Sequence, residues 1–167
     1  MMNIVLIGMP GSGKTTIGAE IARLMGRNFI DVDLEIIQSA GMSIPEIFAE
    51  YGEAGFRRYE RTQTFRASQK HNCVIATGGG VVRDRKNYSH LHENGYICHI
   101  YRQLELLPTD GRPLSQGNSL EAMYEQRKPM YEFFRDFFVN NDGTPLDAAQ
   151  NIIGGFKIFS EGLGIRY

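Results

Sequence analysis

The sequence lacks the features that mark secreted and membrane-spanning proteins. Only two of its 167 residues are cysteines, Cys73 and Cys98, and both lie in apolar stretches, so we expect them to be reduced core residues. No apolar run approaches the about 18 residues of a membrane-spanning helix. The chain also enters a predicted strand at once, without the charged region that opens a secretory signal. These absences predict a cytoplasmic protein with no membrane partner.

An excess of positive charge is also missing. The formal net charge is −1, with 18 basic and 19 acidic residues, which argues against a nucleic-acid partner because binding to phosphate backbones needs clustered cations. The four histidines have no zinc-type spacing. What remains is the composition of an ordinary globular protein, and the length predicts a single domain over residues 1–167.

One glycine-rich stretch near the N-terminus carries the clearest chemistry. Residues 8–15 read G-M-P-G-S-G-K-T, the G-x-x-x-x-G-K-T pattern of a phosphate-binding loop, or P-loop. An apolar run with strand composition precedes it, and residues 16–25 place their apolar side chains on one helix face. In such a loop backbone N–H groups hold the phosphates, while Lys14 reaches the β- and γ-phosphates and the Thr15 hydroxyl binds Mg²⁺. The predicted nucleotide-binding residues are Gly11, Ser12, Gly13, Lys14, Thr15 and Thr16.

Two carboxylates follow the second apolar stretch. We predict a strand over 29–33, in which Asp31 and Asp33, at i and i+2, point to the same side. The alternative is that Asp33 only caps the helix that follows. Many P-loop enzymes place a magnesium-binding aspartate after a later strand, but Thr77 stands there, so Asp31 is the metal candidate.

The order of apolar stretches indicates the fold. Five predicted strands alternate with helical segments, which predicts a parallel, three-layer α/β domain. Its right-handed connections bring every loop that follows a strand to one edge of the sheet. The three glycines 78–80 follow the third strand. Ordering three glycines costs backbone conformational entropy, and we expect such a stretch where the backbone must approach a ligand closely.

Two later helical segments leave their roles open. Arg57 has Glu53 at i−4 and Glu60 at i+3, so carboxylates could hold it from both sides. On these residues alone a solvated helix with ion pairs is favoured over a ligand site. A helix over 120–136 contains Pro129, which we expect to kink or restart it.

Between these segments, residues 107–118 have no apolar periodicity. They are rich in proline, glycine and aspartate, which predicts a loop, and long loops in compact domains are usually functional or disordered. Arg112 is the lone cation in this loop.

Taken in order, the motifs resemble the shikimate kinase family. They are G-x-P-G-S-G-K-T, D-V-D at 31–33, E-x-x-F-R-x-x-E at 53–60, G-G-G at 78–80, G-R-P-L at 111–114 and R-K-P-x-Y at 127–131. The resemblance covers about residues 3–145. It implies the nucleoside monophosphate kinase-like fold, a five-stranded parallel sheet of order 2-3-1-4-5, and transfer of the γ-phosphoryl group of ATP to the 3-hydroxyl of shikimate.

The resemblance also implies how shikimate is bound. Asp33 would hydrogen-bond the substrate hydroxyls and take the proton. Arg57 and Arg127 would bind the carboxylate, beside a wall formed by Gly79 and Gly80. Helices over about 34–70 would form this side of the site, with Phe48 and Phe56 packing on the substrate ring.

On the nucleotide side, the resemblance implies that Asp31 holds Mg²⁺ through water. Lys14 and Arg112 would act in phosphoryl transfer, and Arg112 would close over ATP from a lid at about 103–118. The family usually carries a helix before this arginine, with a further arginine that covers the adenine. Here only residues 102–111 intervene, so we expect a shortened lid.

Two alternatives remain beside a monomeric shikimate kinase. One is a kinase for another small hydroxy acid, such as gluconate, and the other is a lid-deficient binding module. Planar arginine pairs suit a small carboxylate, which favours shikimate. A GTPase is disfavoured because the guanine-specifying N-K-x-D motif is missing.

Overall fold

The computed structural model describes residues 1–108 and 119–164, and these form a parallel sheet with helices on both faces. Its order is β2-β3-β1-β4-β5, and each neighbouring pair is parallel. The predicted three-layer α/β fold with strand order 2-3-1-4-5 is therefore confirmed. The strands are β1 (Asn3–Ile7), β2 (Asn28–Asp31), β3 (Cys73–Ala76), β4 (Gly95–Tyr101) and β5 (Phe137–Asn140).

In the described part of the chain six α-helices cover the sheet, and short 3₁₀ turns lie at Val81–Arg83 and Leu104–Leu106. Within the described ranges, no helix is long and apolar enough to cross a membrane. The helices are α1 (Lys14–Met25), α2 (Val32–Ala40), α3 (Ile44–Ser68), α4 (Arg85–His92), α5 (Leu120–Phe134) and α6 (Pro145–Gly162).

The core lies in two layers because neighbouring residues of a strand face opposite sides of the sheet. In β1, Ile4 and Leu6 pack with α1 and α6, whereas Val5 and Ile7 pack with the layer that contains α3, α4 and α5. Both cysteines are free and buried, one in each layer, in agreement with the predicted reduced core residues.

The predicted strand over 29–33 is too long. β2 ends at Asp31, and Asp33 lies in the first turn of α2. The Asp31 carboxylate is the helix cap, since its Oδ1 accepts the backbone N–H groups of Asp33 at 3.0 Å and Leu34 at 3.4 Å. Satisfying these otherwise unpaired donors starts the helix early. The predicted placement of Asp33 in a strand is therefore wrong, and so is the alternative that Asp33 is the cap.

Two proline- or glycine-containing helices also differ in detail from expectation. α3 joins two predicted helices across Gly52, which has non-helical backbone angles, φ 66° and ψ −174°. α5 runs through Pro129 as one helix, so this proline does not restart it.

Candidate active site

The P-loop connects the carboxyl end of β1 to α1. Gly11 and Gly13 have φ values of 77° and 100°, in the left-handed region that a glycine adopts without steric cost. Gly13 is also the N-cap of α1 and has no side chain that could accept hydrogen bonds from the first N–H groups of the helix. The first N–H groups of α1 are thus left available for an anion.

Lys14 lies folded back on its own loop. Its ammonium donates hydrogen bonds to the backbone oxygens of Gly8, at 2.9 Å, and Met9, at 2.8 Å, and the residue is 8% exposed. The positive charge is therefore held beside the helix N-terminus, where a bound phosphate would take the place of these carbonyls.

Thr15 and Asp31 form an oxygen pair next to the lysine. The Thr15 hydroxyl donates to Asp31 Oδ2 at 2.8 Å. The described residues contain no cluster of three or more His, Cys, Asp or Glu that could cage a metal. Mg²⁺, however, typically uses one or two protein oxygens together with water and phosphate oxygens, so this pair fits it. At the position after β3, Thr77 instead donates its hydroxyl to the Leu6 backbone oxygen at 2.9 Å.

Two adjoining cavities open at this edge of the sheet. The first, of about 470 Å³, lies over the P-loop, and we call it the loop cavity. The second, of about 290 Å³, contains two guanidinium groups, and we call it the arginine cavity. Pro10, Asp33 and Gly79 line both. The loop cavity is otherwise lined by Gly11, Gly13, Lys14, Thr15, Thr16, Asp31, Thr77 and Arg102. The arginine cavity is otherwise lined by Ile44, Phe56, Arg57, Glu60, Gly78, Gly80, Met123 and Arg127.

Arg57 is held by two carboxylates of α3, as its spacing predicted. Its Nη1 donates to Glu60 Oε1 at 2.8 Å and its Nη2 to Glu53 Oε1 at 3.4 Å. Glu60 is 1% exposed, whereas Glu53 is exposed and also pairs with Arg83. A Cβ at Gly80 would lie 2.5 Å from Arg57 Nη1, so a side chain there would displace the guanidinium from its present position against this backbone.

Helix α5 fixes another part of the arginine cavity. Arg127 Nη1 and the Tyr131 hydroxyl both donate to the Gly79 backbone oxygen, at 3.1 and 2.7 Å. Tyr131 stacks in turn on His99 of β4, with ring centroids 4.6 Å apart. Burial, Arg135 and Lys14 lower the pKa of His99 to about 4, so this ring is neutral at pH 7.

Two carboxylates of the site, the half-buried Asp33 and the buried Glu60, flank Gly78. A Cβ there would lie 2.9 Å from Asp33 Oδ1 and 3.1 Å from Glu60 Oε2. Burial, and secondarily the Asp31 charge, raises the pKa of Asp33 against the opposing effect of Lys14 and Arg57. Burial also raises the pKa of Glu60, although Arg57 opposes it. A raised pKa makes the Asp33 carboxylate a better proton acceptor once it is ionised.

Most sequence-predicted site residues line one of these cavities. Ser12 does not: it is buried, and its backbone oxygen accepts a hydrogen bond from Asn141 Nδ2 at 2.8 Å. Phe56 lines the arginine cavity, and Phe48 stacks on it with centroids 4.6 Å apart. Arg112 lies outside the described residues, as does most of the predicted lid.

The sequence alone indicates no role for the side chains of Tyr131, Asn141 or Arg102, and it indicates Glu60 only as an ion-pair partner. Tyr131 ends the R-K-P-x-Y motif, which is a signal that could have pointed to it. Asn141 and Arg102 directly follow β5 and β4, at the sheet edge where ligands of parallel α/β proteins bind.

The sheet order, the P-loop between β1 and α1 and the adjoining arginine cavity define a small P-loop kinase. The family model for shikimate kinase matches residues 10–156. A shikimate kinase from Caldanaerobacter subterraneus subsp. tengcongensis is 37% identical over 166 residues, which cover 93% of this chain and 96% of that relative. The chain belongs to the shikimate kinase family.

Solved structures agree with this assignment. The shikimate kinase of Acinetobacter baumannii, solved in complex with shikimate, has a TM-score of 0.88 and 34% identity, covering 94% of this chain and 93% of its own. A gluconokinase from Sinorhizobium meliloti 1021 has a TM-score of 0.59 at 13% identity, covering 97% and 95%. Identity this low shows a common fold alone, so it gives no support to gluconate as the acceptor.

Proposed function

We propose that the protein transfers the γ-phosphoryl group of ATP to the 3-hydroxyl of shikimate, giving shikimate 3-phosphate and ADP. The observation that carries this proposal is the junction of the two cavities. One contains the P-loop and the other contains two arginines, and Asp33 belongs to both. A hydroxylated acid bound by the arginines would therefore present a hydroxyl to Asp33 and to the end of the nucleotide.

Arg57 and Arg127 are the proposed carboxylate ligands. A planar guanidinium can bind a carboxylate through two parallel hydrogen bonds. Both side chains are held in place, by Glu60 and by the Gly79 oxygen respectively. Both Nε groups are buried and have no hydrogen-bond partner among the described residues. They are therefore donors for which a bound carboxylate could supply the acceptor.

Asp33 is the proposed proton acceptor. As the 3-hydroxyl oxygen bonds to the γ-phosphorus, its proton moves to the Asp33 carboxylate. The bond from the γ-phosphorus to the bridging oxygen breaks, and its electron pair leaves with ADP. Lys14 balances the negative charge on the phosphates. The raised pKa of Asp33 supports this role, because a more basic carboxylate accepts a proton more readily.

Mg²⁺ is the proposed cofactor, held by the Thr15 hydroxyl and, through water, by Asp31. When bound it would neutralise charge on the β- and γ-phosphates. The role of Arg112 in ATP binding and phosphoryl transfer rests on the family motif alone. A monomer that acts in the cytoplasm completes the proposal, and the buried free cysteines support a reducing compartment.

The test is ADP formation from ATP and Mg²⁺ with shikimate, with gluconate, or with neither. We expect strong stimulation by shikimate and none by gluconate. Stimulation by gluconate would favour a different acceptor. Nucleotide binding without turnover in any mixture would favour the lid-deficient binding module.

A further inference from the structure

Arg102 is a second cation of the loop cavity, supplied from outside the P-loop. It directly follows β4 and lines the cavity together with Gly11, Gly13 and Lys14. Arg102 is far from the P-loop in sequence, but β4 pairs in parallel with β1, so the residues that follow the two strands lie at the same edge of the sheet. The side chain therefore reaches the cavity from the strand next to the one that leads into the loop.

The backbone around Arg102 is fixed on both sides. The Tyr101 backbone oxygen accepts a hydrogen bond from Asn141 N at 2.7 Å. On the other side, Gln103 donates from its backbone N at 2.9 Å and from its side chain at 3.1 Å to the two carboxylate oxygens of Asp142. Asn141 also holds the Ser12 oxygen of the P-loop. One turn after β5 thus fixes Arg102 relative to the loop, as a preorganised site requires.

The guanidinium has unused hydrogen-bonding capacity. Its Nε is buried and has no hydrogen-bond partner within residues 1–108 and 119–164. The Asp142 carboxylate already accepts from Gln103, whose backbone hydrogen bond, helped by the Arg102 charge, lowers the pKa of Asp142. A buried donor without an acceptor is unfavourable, and an anion in the cavity would satisfy it.

We infer that Arg102 binds the polyphosphate of the nucleotide. This inference rests on the proposed function, because it takes ATP as the ligand of the loop cavity. A guanidinium matches two phosphate oxygens at once, whereas Lys14 offers a compact point charge. Arg102 therefore strengthens nucleotide binding from a part of the cavity outside the P-loop, and its effect falls on nucleotide affinity more than on turnover.

The test compares Arg102→Ala and Arg102→Lys with the matched control Arg58→Ala. Arg58 is exposed on α3 and lines a separate groove that contains no P-loop residue. Binding of ADP and of inorganic tripolyphosphate, each with Mg²⁺, is measured by calorimetry. We expect Arg102→Ala to weaken both ligands about ten- to a hundredfold, as for a lost charged hydrogen bond. Arg102→Lys should lose less, and Arg58→Ala should match the wild type.

Each other outcome overturns the inference. Weaker ADP binding with unchanged tripolyphosphate binding would place Arg102 on the base, and wild-type affinity for both ligands would remove it from the site. Thermal unfolding without ligand identifies a variant that fails to fold. If Arg102→Ala does not fold, the same binding measurements on Arg102→Lys, which keeps the stem and the charge, decide whether the inference holds. Failure of the proposed function looks different: the wild type would bind ADP, with a loss in Arg102→Ala, but shikimate would not stimulate turnover.

Discussion

The loop cavity and the arginine cavity are built from the sequence in different ways. The P-loop residues of the loop cavity come from one continuous stretch between β1 and α1. The arginine cavity is assembled from α3, from the glycines after β3 and from α5. One half of the site is therefore encoded locally, and the other exists only when the chain is folded.

The two cavities also differ in what their polar groups bind in the structure described here. Lys14 donates to carbonyls of the loop, and a bound phosphate would replace these hydrogen bonds. Thr15 donates to Asp31, and bound Mg²⁺ would replace this one. Arg57 and Arg127 bond to the buried Glu60 and to the Gly79 carbonyl, which can stay in place when a carboxylate binds. We expect the loop cavity to rearrange on binding and the arginine cavity to accept its ligand with little change.

The largest effect is expected from Lys14→Met. It removes a cation that balances charge in the transition state, and we expect a loss like that of an arginine with this role in other phosphoryl transfers, about 10³–10⁵ in turnover. ADP formation with saturating shikimate measures it, and Lys86→Met, an exposed lysine of α4, is the control. Shikimate binding should persist, because Lys14 lines only the loop cavity. Near-normal turnover would refute the role given to the loop.

Asp33→Asn should come next, with turnover lower by about 10²–10⁴ because general base catalysis is lost. This residue belongs to both cavities, so the variant tests whether they work as one site. Asp31→Asn is the matched comparison: it should behave as a metal defect that higher Mg²⁺ partly rescues. An identical Mg²⁺ response in the two variants would contradict the proposed division of roles.

The pH profile of the wild type sharpens this comparison. Asp33 must be ionised to accept a proton, so activity should fall as the pH drops through its pKa. Because burial raises that pKa above the ordinary 3.8, the fall should begin at a higher pH than for an exposed aspartate. The residual activity of Asp33→Asn should lack this fall. An unchanged profile in the variant would assign the titration to another group.

The difference between the cavities also explains what the sequence could predict. The P-loop and the strand order followed from patterns within single stretches and from the order of those stretches. The exact place of Asp33 could not be predicted in this way, because residues 32–33 fit either a longer strand or a helix capped by Asp31, and the cap prevails. The bonds from Tyr131 to Gly79 and from Asn141 to Ser12 join positions 52 and 129 residues apart, and no local pattern encodes them.

Arg57→Lys tests the arginine cavity with the charge retained. The lysine loses the planar fork, and a charged hydrogen bond is worth roughly 1.5–3 kcal/mol, or about ten- to a hundredfold in affinity. The loss should appear in shikimate binding and leave ATP binding nearly unchanged. Arg58→Lys, on the adjacent exposed residue, controls for the substitution itself. Weakened ATP binding instead would place Arg57 on the nucleotide side and break the separation of the two cavities.

The smallest effect is expected from Tyr131→Phe. It removes one of two donors to the Gly79 oxygen and leaves Arg127 bonded there, so the glycine wall loosens without a change in charge. A neutral hydrogen bond contributes about 0.5–1.5 kcal/mol, which predicts an increase of roughly two- to tenfold in the KM for shikimate.

The KM for ATP should stay constant in this variant, because Tyr131 contacts the Gly79 oxygen and Arg127 and does not line the loop cavity. Steady-state kinetics with each substrate varied in turn measures both constants. Tyr96→Phe, in the core layer on the other face of the sheet, is the control for loss of a phenol. An equal rise in both KM values would show that the change reaches the nucleotide through Gly79, which lines both cavities. The arginine cavity would then not be an independent, preformed half of the site.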